Sequence, residues 1–246
     1  MIIKIDKFII DSSQKSGCTT VLKSWLSHSG LLQKALDYHP WVHKYREDFN
    51  MHPSQEDLLS QNFIKIKYVR DPIQRAISSY IHGINVKKTT EDFFNFKNLN
   101  PSFLEFLQFL RDGKISMTEG GLHWQVQNEL PSIDYQEIIK IEDIHSQTKY
   151  LNTKYNLNLK IFDSFHHMKK GNHIEGLFNQ PASEVDNAIK KTLIKTHEFN
   201  SYPKGNQKIK DKLWKRVVPS YDSFINEEVI NLIKRIYKTD FDRFNY

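Results

Sequence analysis

The chain has 246 residues, 39% hydrophobic and 26% charged, which allows a sizeable core and excludes a disordered chain. Lys and Arg outnumber Asp and Glu by 35 to 29; the net charge of +6 suits an anionic ligand, but no dense run of Lys and Arg marks a nucleic-acid tail. The single cysteine, Cys18, excludes an intrachain disulfide, and the N-terminus, broken by Lys4, Asp6 and Lys7, is not expected to be a signal peptide. With no stretch of about 20 uncharged apolar residues to span a membrane, a soluble cytoplasmic protein is expected.

Phe8-Ile9-Ile10 is a short apolar run, expected as a strand. A polar, small-residue stretch from Asp11 to Gly17 follows, and then TTVLKSWLSHSG, where Val21, Leu22, Trp25 and Leu26 recur at helical spacing before Gly30 offers a stop. The same order of strand, tight loop and helix returns further on. Residues 63–69 alternate like a strand, Arg70-Asp71-Pro72 follows with Pro72 suited to a first helical turn, and a helix is predicted over 73–81 with Gly83 as its end. PSFLEFLQFLRDG predicts an amphipathic helix between Pro101 and Gly113. Residues 138–141 predict a third strand, 166–181 a loop, and EEVINLIKRIYKTDF one last helix. One α/β domain over 1–246 is the economical organisation.

A loop between a strand and a helix aims backbone N–H groups and the positive helix end at whatever sits there. Gln14 to Thr20 fill that loop with suitable residues: Gly17 for close backbone approach, Thr19 and Thr20 for hydroxyl donors, Lys15 for a mobile charge. It is not a GxxxxGK[ST] loop, because Lys15 precedes the only glycine, and this disfavours an ATP- or GTP-driven kinase. An ordinary Gly-containing turn is the plain alternative. In the second segment Arg70 offers a fixed fork for phosphate oxygens and Ser78 a short hydroxyl donor, against the alternative that Arg70 pairs with a nearby acid. If the first two strands are parallel neighbours, both loops open at the carboxyl edge, where open α/β sheets bind ligands.

Here the chain resembles a family. KSGCTT resembles the 5'-phosphosulfate loop of sulfotransferases that use 3'-phosphoadenosine 5'-phosphosulfate (PAPS). YVRDPIQRAISSY is similar to their 3'-phosphate segment, V-R-[DN]-P-x-x-R-x-x-S, with Arg70, Asp71, Pro72, Arg75 and Ser78 all in place. The resemblance is closest to the carbohydrate sulfotransferases of the family 2 group and their bacterial relatives. HWQVQNEL resembles that group's HW segment, IDYQEIIKIEDI its Y-D-x-I-x-x-x-E segment, and IKRIYKTDFDRFNY its terminal Y-x-x-D-F-x-x-F-x-Y. Two positions depart: Gln14 stands for the usual proline and Gln136 for the acid after Tyr135.

The resemblance implies a P-loop-like three-layer α/β sandwich, with a central, mostly parallel sheet flanked by helices. It implies PAPS as sulfuryl donor, no metal, and a hydroxylated small-molecule or glycan acceptor. Lys15, Ser16, Gly17, Cys18, Thr19 and Thr20 would hold the 5'-phosphosulfate, with Lys15 stabilising the departing phosphate. Arg70 and Ser78 would bind the 3'-phosphate, and Lys169 and Lys170 in HHMKKGNH would close over the nucleotide. The general base is sought between the two phosphate motifs, with His43 first and His39 second, and Asp37, Glu47 and Glu56 behind them. His52, His123 and Trp124 are expected on the acceptor side, Trp124 equally in the core. The alternatives are a P-loop-type kinase and a non-catalytic nucleotide-binding module. Acceptor choice would lie in residues 87–100 and 164–181, which carry no decodable pattern.

Overall fold

The opening residues, assigned to no element from sequence, form β1 (Ile2–Ile5), and Asp6 at φ 51° turns the chain straight into β2 (Phe8–Ser12). These strands pair antiparallel, with Ile5 opposite Phe8. β3 (Ile64–Val69) runs parallel to β2, and β4 (Glu137–Lys140) parallel to β3. The sheet order is β1-β2-β3-β4, so the expected mostly parallel sheet has two parallel pairings and one antiparallel edge, and is mixed. The cause is local: a connection as short as Asp6-Lys7 joins only antiparallel strands, whereas a parallel crossover needs a dozen or more residues. β5 (Lys169–Lys170), β6 (Leu193–Lys204) and β7 (Gln207–Val218) form a second sheet ordered β5-β7-β6, with β5 parallel to β7.

In chain order the helices are α1 (Cys18–His28), α2 (Leu32–Tyr38), α3 (Val42–Asp48), α4 (Gln55–Leu59), α5 (Pro72–Asn85), α6 (Phe103–Arg111), α7 (Ile144–Tyr155), α8 (Ala182–Lys191), α9 (Glu227–Ile236) and α10 (Lys238–Phe244). This computed structural model describes residues 1–85, 99–115, 123–127, 130, 132–162, 169–170, 173–191, 193–204 and 207–246. Among them no helix is long and apolar enough to cross a membrane. The architecture is α/β, with helices flanking the four-stranded mixed sheet.

The chain divides into two compact units. The first comprises Met1–Arg70, Leu130–His166 and Glu198–Asp211, the second Asp71–Glu129, His167–His197 and Lys212–Tyr246. In the first, Phe8, Ile10, Ile66 and Tyr68 from the strands pack with Val21, Leu22, Trp25 and Leu26 of α1 and Leu151 of α7. The helical spacing seen in sequence is therefore the buried face of α1. The Trp25 indole N–H donates to the Tyr68 hydroxyl at 3.1 Å, so neither polar atom is stranded in the core.

In the second unit, Ile77, Tyr80 and Ile81 of α5, Phe103, Phe106, Leu107 and Leu110 of α6 and Ile233 of α9 gather around Trp124 and Phe224. A capping box between Ser102 and Glu105 starts α6. α5 runs through Gly83 to Asn85 rather than ending there. An interior glycine costs about 1 kcal/mol against alanine, and the buried face of Ile77, Tyr80 and Ile81 outweighs it. The expected last helix breaks at Tyr237, whose backbone sits at φ −105°, ψ 28° and whose buried hydroxyl donates to the Trp124 carbonyl at 2.9 Å. The expected loop over 166–181 contains β5 and a 3-10 turn at Leu177–Asn179 that buries Leu177.

Candidate active site

The site in the first unit begins where β2 ends. The chain leaves the sheet at Ser13 and enters α1 at Cys18. Between them the Ser16 amide donates to the Ser13 carbonyl at 3.1 Å and the Ser12 hydroxyl to the Ser16 carbonyl at 3.3 Å, which closes a tight turn. Lys15 takes φ 63° and Gly17 φ 74°. Left-handed backbone is unfavourable for a lysine by roughly 1–2 kcal/mol, so the surroundings must hold it. Gly17 has a second constraint that spacing did not reveal: a Cβ there would lie 2.9 Å from both Cγ1 and Cδ1 of Ile141. Among the described residues no side chain caps α1, and its first turn has no acid. Its leading N–H groups and positive end thus face the loop, an arrangement that favours negative charge there.

β2 and β3 are parallel neighbours, with Ser12 opposite Tyr68, so their carboxyl ends share one edge. Arg70, just beyond β3, donates from Nη1 to the Lys15 carbonyl at 3.1 Å. The guanidinium therefore braces the loop that carries Lys15.

α3 brings His43 to the same loop. His43 is 6% exposed, and its Nε2 lies 3.1 Å from the Thr19 hydroxyl and 3.9 Å from the Cys18 sulfur. The Cys18 thiol also reaches Gln14 Oε1 at 3.7 Å. In the tautomer that leaves Nε2 unprotonated, Thr19 donates and His43 accepts, the state a base requires. His39 is exposed and uses Nδ1 to accept the Trp41 amide at 2.9 Å. His52 is exposed, and partial desolvation, with the Arg46 charge behind it, lowers its imidazole pKa. Asp37, Glu47 and Glu56 are exposed as well. Lys23 stands one turn beyond Thr19, only 7% exposed, and burial lowers its ammonium pKa.

Spacing also gave no hint of a polar cluster inside this unit. Lys67 Nζ donates to Asp11 Oδ2 at 2.8 Å and to the Ser13 hydroxyl at 3.2 Å, and the Tyr135 hydroxyl donates to the same Asp11 oxygen at 2.5 Å. Read along the chain, Asp11 is a loop residue and Lys67 the polar half of an alternating strand. Only the register, which sets Asp11 opposite Lys67, makes them a pair.

In the second unit, Asp71 accepts the Gln74 amide at 2.8 Å and so starts α5 beside Pro72. Ser78 lies on that helix, 5% exposed. Arg75 donates to the Gln125 carbonyl, the Ser79 hydroxyl to the His123 carbonyl, and Asp240 accepts the Gln127 amide at 2.8 Å. With Tyr237 on the Trp124 carbonyl, four side chains pin the backbone of 123–127. Trp124 is fully buried, 5.4 Å from the Phe106 ring, and His123 stacks on His82 at 4.2 Å. The backbone places Lys169 and Lys170 on β5. Residues 166–168 and 171–172 of the expected basic loop lie outside the described residues, as do 87–98 and 164–165 of the expected acceptor loops.

Among the described residues no group of three or more His, Cys, Asp or Glu is placed to hold a metal ion. No curated protein and no solved structure is significantly similar to the chain. The model of the sulfotransferase family, by contrast, matches residues 3–246, from β1 to the last residue. That match takes in the Lys15 loop, the Arg70 segment, the pinned 123–127 stretch and the terminal Tyr237 and Asp240, and the chain belongs to the sulfotransferase family, of the family 2 type.

Proposed function

We propose that this sulfotransferase takes its sulfuryl group from PAPS and transfers it to a hydroxyl of a saccharide, glycolipid or similar acceptor, as one P-loop-like, three-layer domain over 1–246. The observation that carries the proposal is the loop itself: an α1 end with no side-chain cap, Lys15 held at φ 63°, and His43 against Thr19. In this reading Lys15, Ser16 and the amides and hydroxyls from Gly17 to Thr20 hold the 5'-phosphosulfate. Arg70 and Ser78 take the 3'-phosphate, and Lys169 and Lys170 cover the nucleotide. His43 is the base, with His39 next in line; His52 and His123 stand on the acceptor side, and Trp124 supports from the core. The single cysteine fits a reducing compartment, and the cytoplasm is the proposed location.

The chemistry is in-line displacement at sulfur. The acceptor hydroxyl replaces Thr19 as the partner of His43 Nε2 and gives up its proton there as its oxygen bonds to sulfur. The bond from sulfur to the bridging phosphate oxygen breaks, and its electron pair leaves with 3',5'-ADP. Charge grows on that phosphate only as the bond breaks, so Lys15 and the α1 amides stabilise the transition state more than the ground state. Positioning and electrostatics dominate, as in phosphoryl transfer.

The test is incubation of the protein with PAPS and a panel of glycan, glycolipid and small hydroxylated acceptors. Release of 3',5'-ADP in step with a sulfated acceptor is expected. Phosphorylation of an acceptor from ATP-Mg, with no sulfated product from PAPS, would replace this reading with the kinase.

A further inference from the structure

The buried cluster behind the phosphate loop is hard to explain by stability alone. Lys67 and Asp11 are each 1% exposed and Ser13 is fully buried. Asp11 Oδ2 takes both donors, from Lys67 and Tyr135, while Asp11 Oδ1 is buried and accepts no hydrogen bond among the described residues. Desolvating two charges costs about as much as their attraction returns, so a well-packed apolar pair of similar volume is usually as stable or more so. The ion pair does one thing an apolar pair cannot: Lys67 also donates to Ser13, the residue at which the chain leaves β2 for the loop.

That contact completes a set of tethers. Ser13 is held by Lys67, the Lys15 carbonyl by Arg70, and Gly17 lies against Ile141. Lys15, between them, is in the left-handed conformation that requires such over-determination. Tyr135, just before β4, fixes the carboxylate that fixes Lys67.

We propose that Asp11, Lys67 and Tyr135 are positioning residues that act through Ser13 to hold the phosphate loop in the shape that receives the donor's anionic end. This rests on the loop being the PAPS site. The test compares stability with donor-site affinity, using 3',5'-ADP as probe, in two variants. Asp11→Leu/Lys67→Met removes the charge pair but fills its volume. Ser13→Ala keeps the pair and removes only its link to the loop.

For the double variant we expect a Tm equal to or above wild type and a Kd for 3',5'-ADP raised about tenfold or more. Ser13→Ala should raise the Kd severalfold at nearly unchanged Tm. Wild-type affinity in either variant would make the cluster merely structural and overturn the proposal; if the double variant does not fold, Ser13→Ala decides alone. Failure of the wild-type protein itself to bind 3',5'-ADP would overturn the donor reading and this inference together, an outcome distinct from tight wild-type binding with unaffected variants.

Discussion

The first unit buries charge next to a loop, and the second buries both charge and aromatic rings around a pinned backbone segment. In the first, Asp11, Lys67 and His43 are all less than one-tenth exposed, and each touches Ser13, Thr19 or a residue that does. In the second, Tyr80, Phe103, Phe106, Trp124, Phe224 and Tyr237 fill the core, while Arg75, Tyr237 and Asp240 reach backbone groups of 123–127. Both sets include family-motif residues. Arg70 and Arg75 come from one motif, yet Arg70 braces the loop carbonyl of Lys15 whereas Arg75 holds the carbonyl of Gln125. Two arginines of one family signature therefore hold the backbone of two different segments, which only the contacts reveal.

This contrast can be broken by experiment. The largest effect is expected in the second unit. Phe106→Ala removes a fully buried ring and should cost about 3–5 kcal/mol by denaturant unfolding. A loss of turnover at unchanged stability would contradict a purely structural role for this core. Lys15→Ala should do the reverse, lowering kcat by about 10²–10³-fold, roughly 2.7–4 kcal/mol, with Tm unmoved. If its main effect were on Tm, Lys15 would belong with the scaffold. Arg70→Ala should weaken 3',5'-ADP by about 2 kcal/mol and 5'-AMP by less, read by calorimetry. Equal losses would mean that Arg70 acts only through the Lys15 carbonyl.

A further effect is confined to alkaline pH and is common to both units. Burial raises the phenol pKa of Tyr68 in the first unit and of Tyr80 and Tyr237 in the second, well above the ordinary 10.0. Each phenol stays neutral when folded but ionises in the unfolded chain near pH 10. Their contribution is complete below that pH and is lost as pH rises above it. The denaturation midpoint should fall steadily from about pH 10 upward; a flat profile to pH 12 would contradict burial of these hydroxyls.

What could be read along the chain was whatever is local. The two strand–loop–helix units were legible because apolar runs stop at small polar residues and Pro72 punctuates the second. β1 was not, since Lys4 interrupts its apolar run and its strand character depends on pairing with β2. The break at Tyr237 was not legible either, and the hydroxyl there bonds a carbonyl far away in sequence. In the site, Lys15 and Arg70 stood out by residue type and spacing. His43 was one of several histidines until α3 set it against Thr19. Asp11 with Lys67, and Gly17 against Ile141, are contacts between separate strands and loops, which spacing along one chain does not encode.

The proposed function stands on the loop from Lys15 to Thr20, with Arg70, binding a nucleotide that bears a 3'-phosphate. The most direct test is the thermal stability of the protein with 3',5'-ADP and, separately, with ATP-Mg, since a ligand stabilises in proportion to its preference for the folded state. A clear rise in Tm with 3',5'-ADP and little or none with ATP-Mg is predicted. A larger rise with ATP-Mg would contradict the claim.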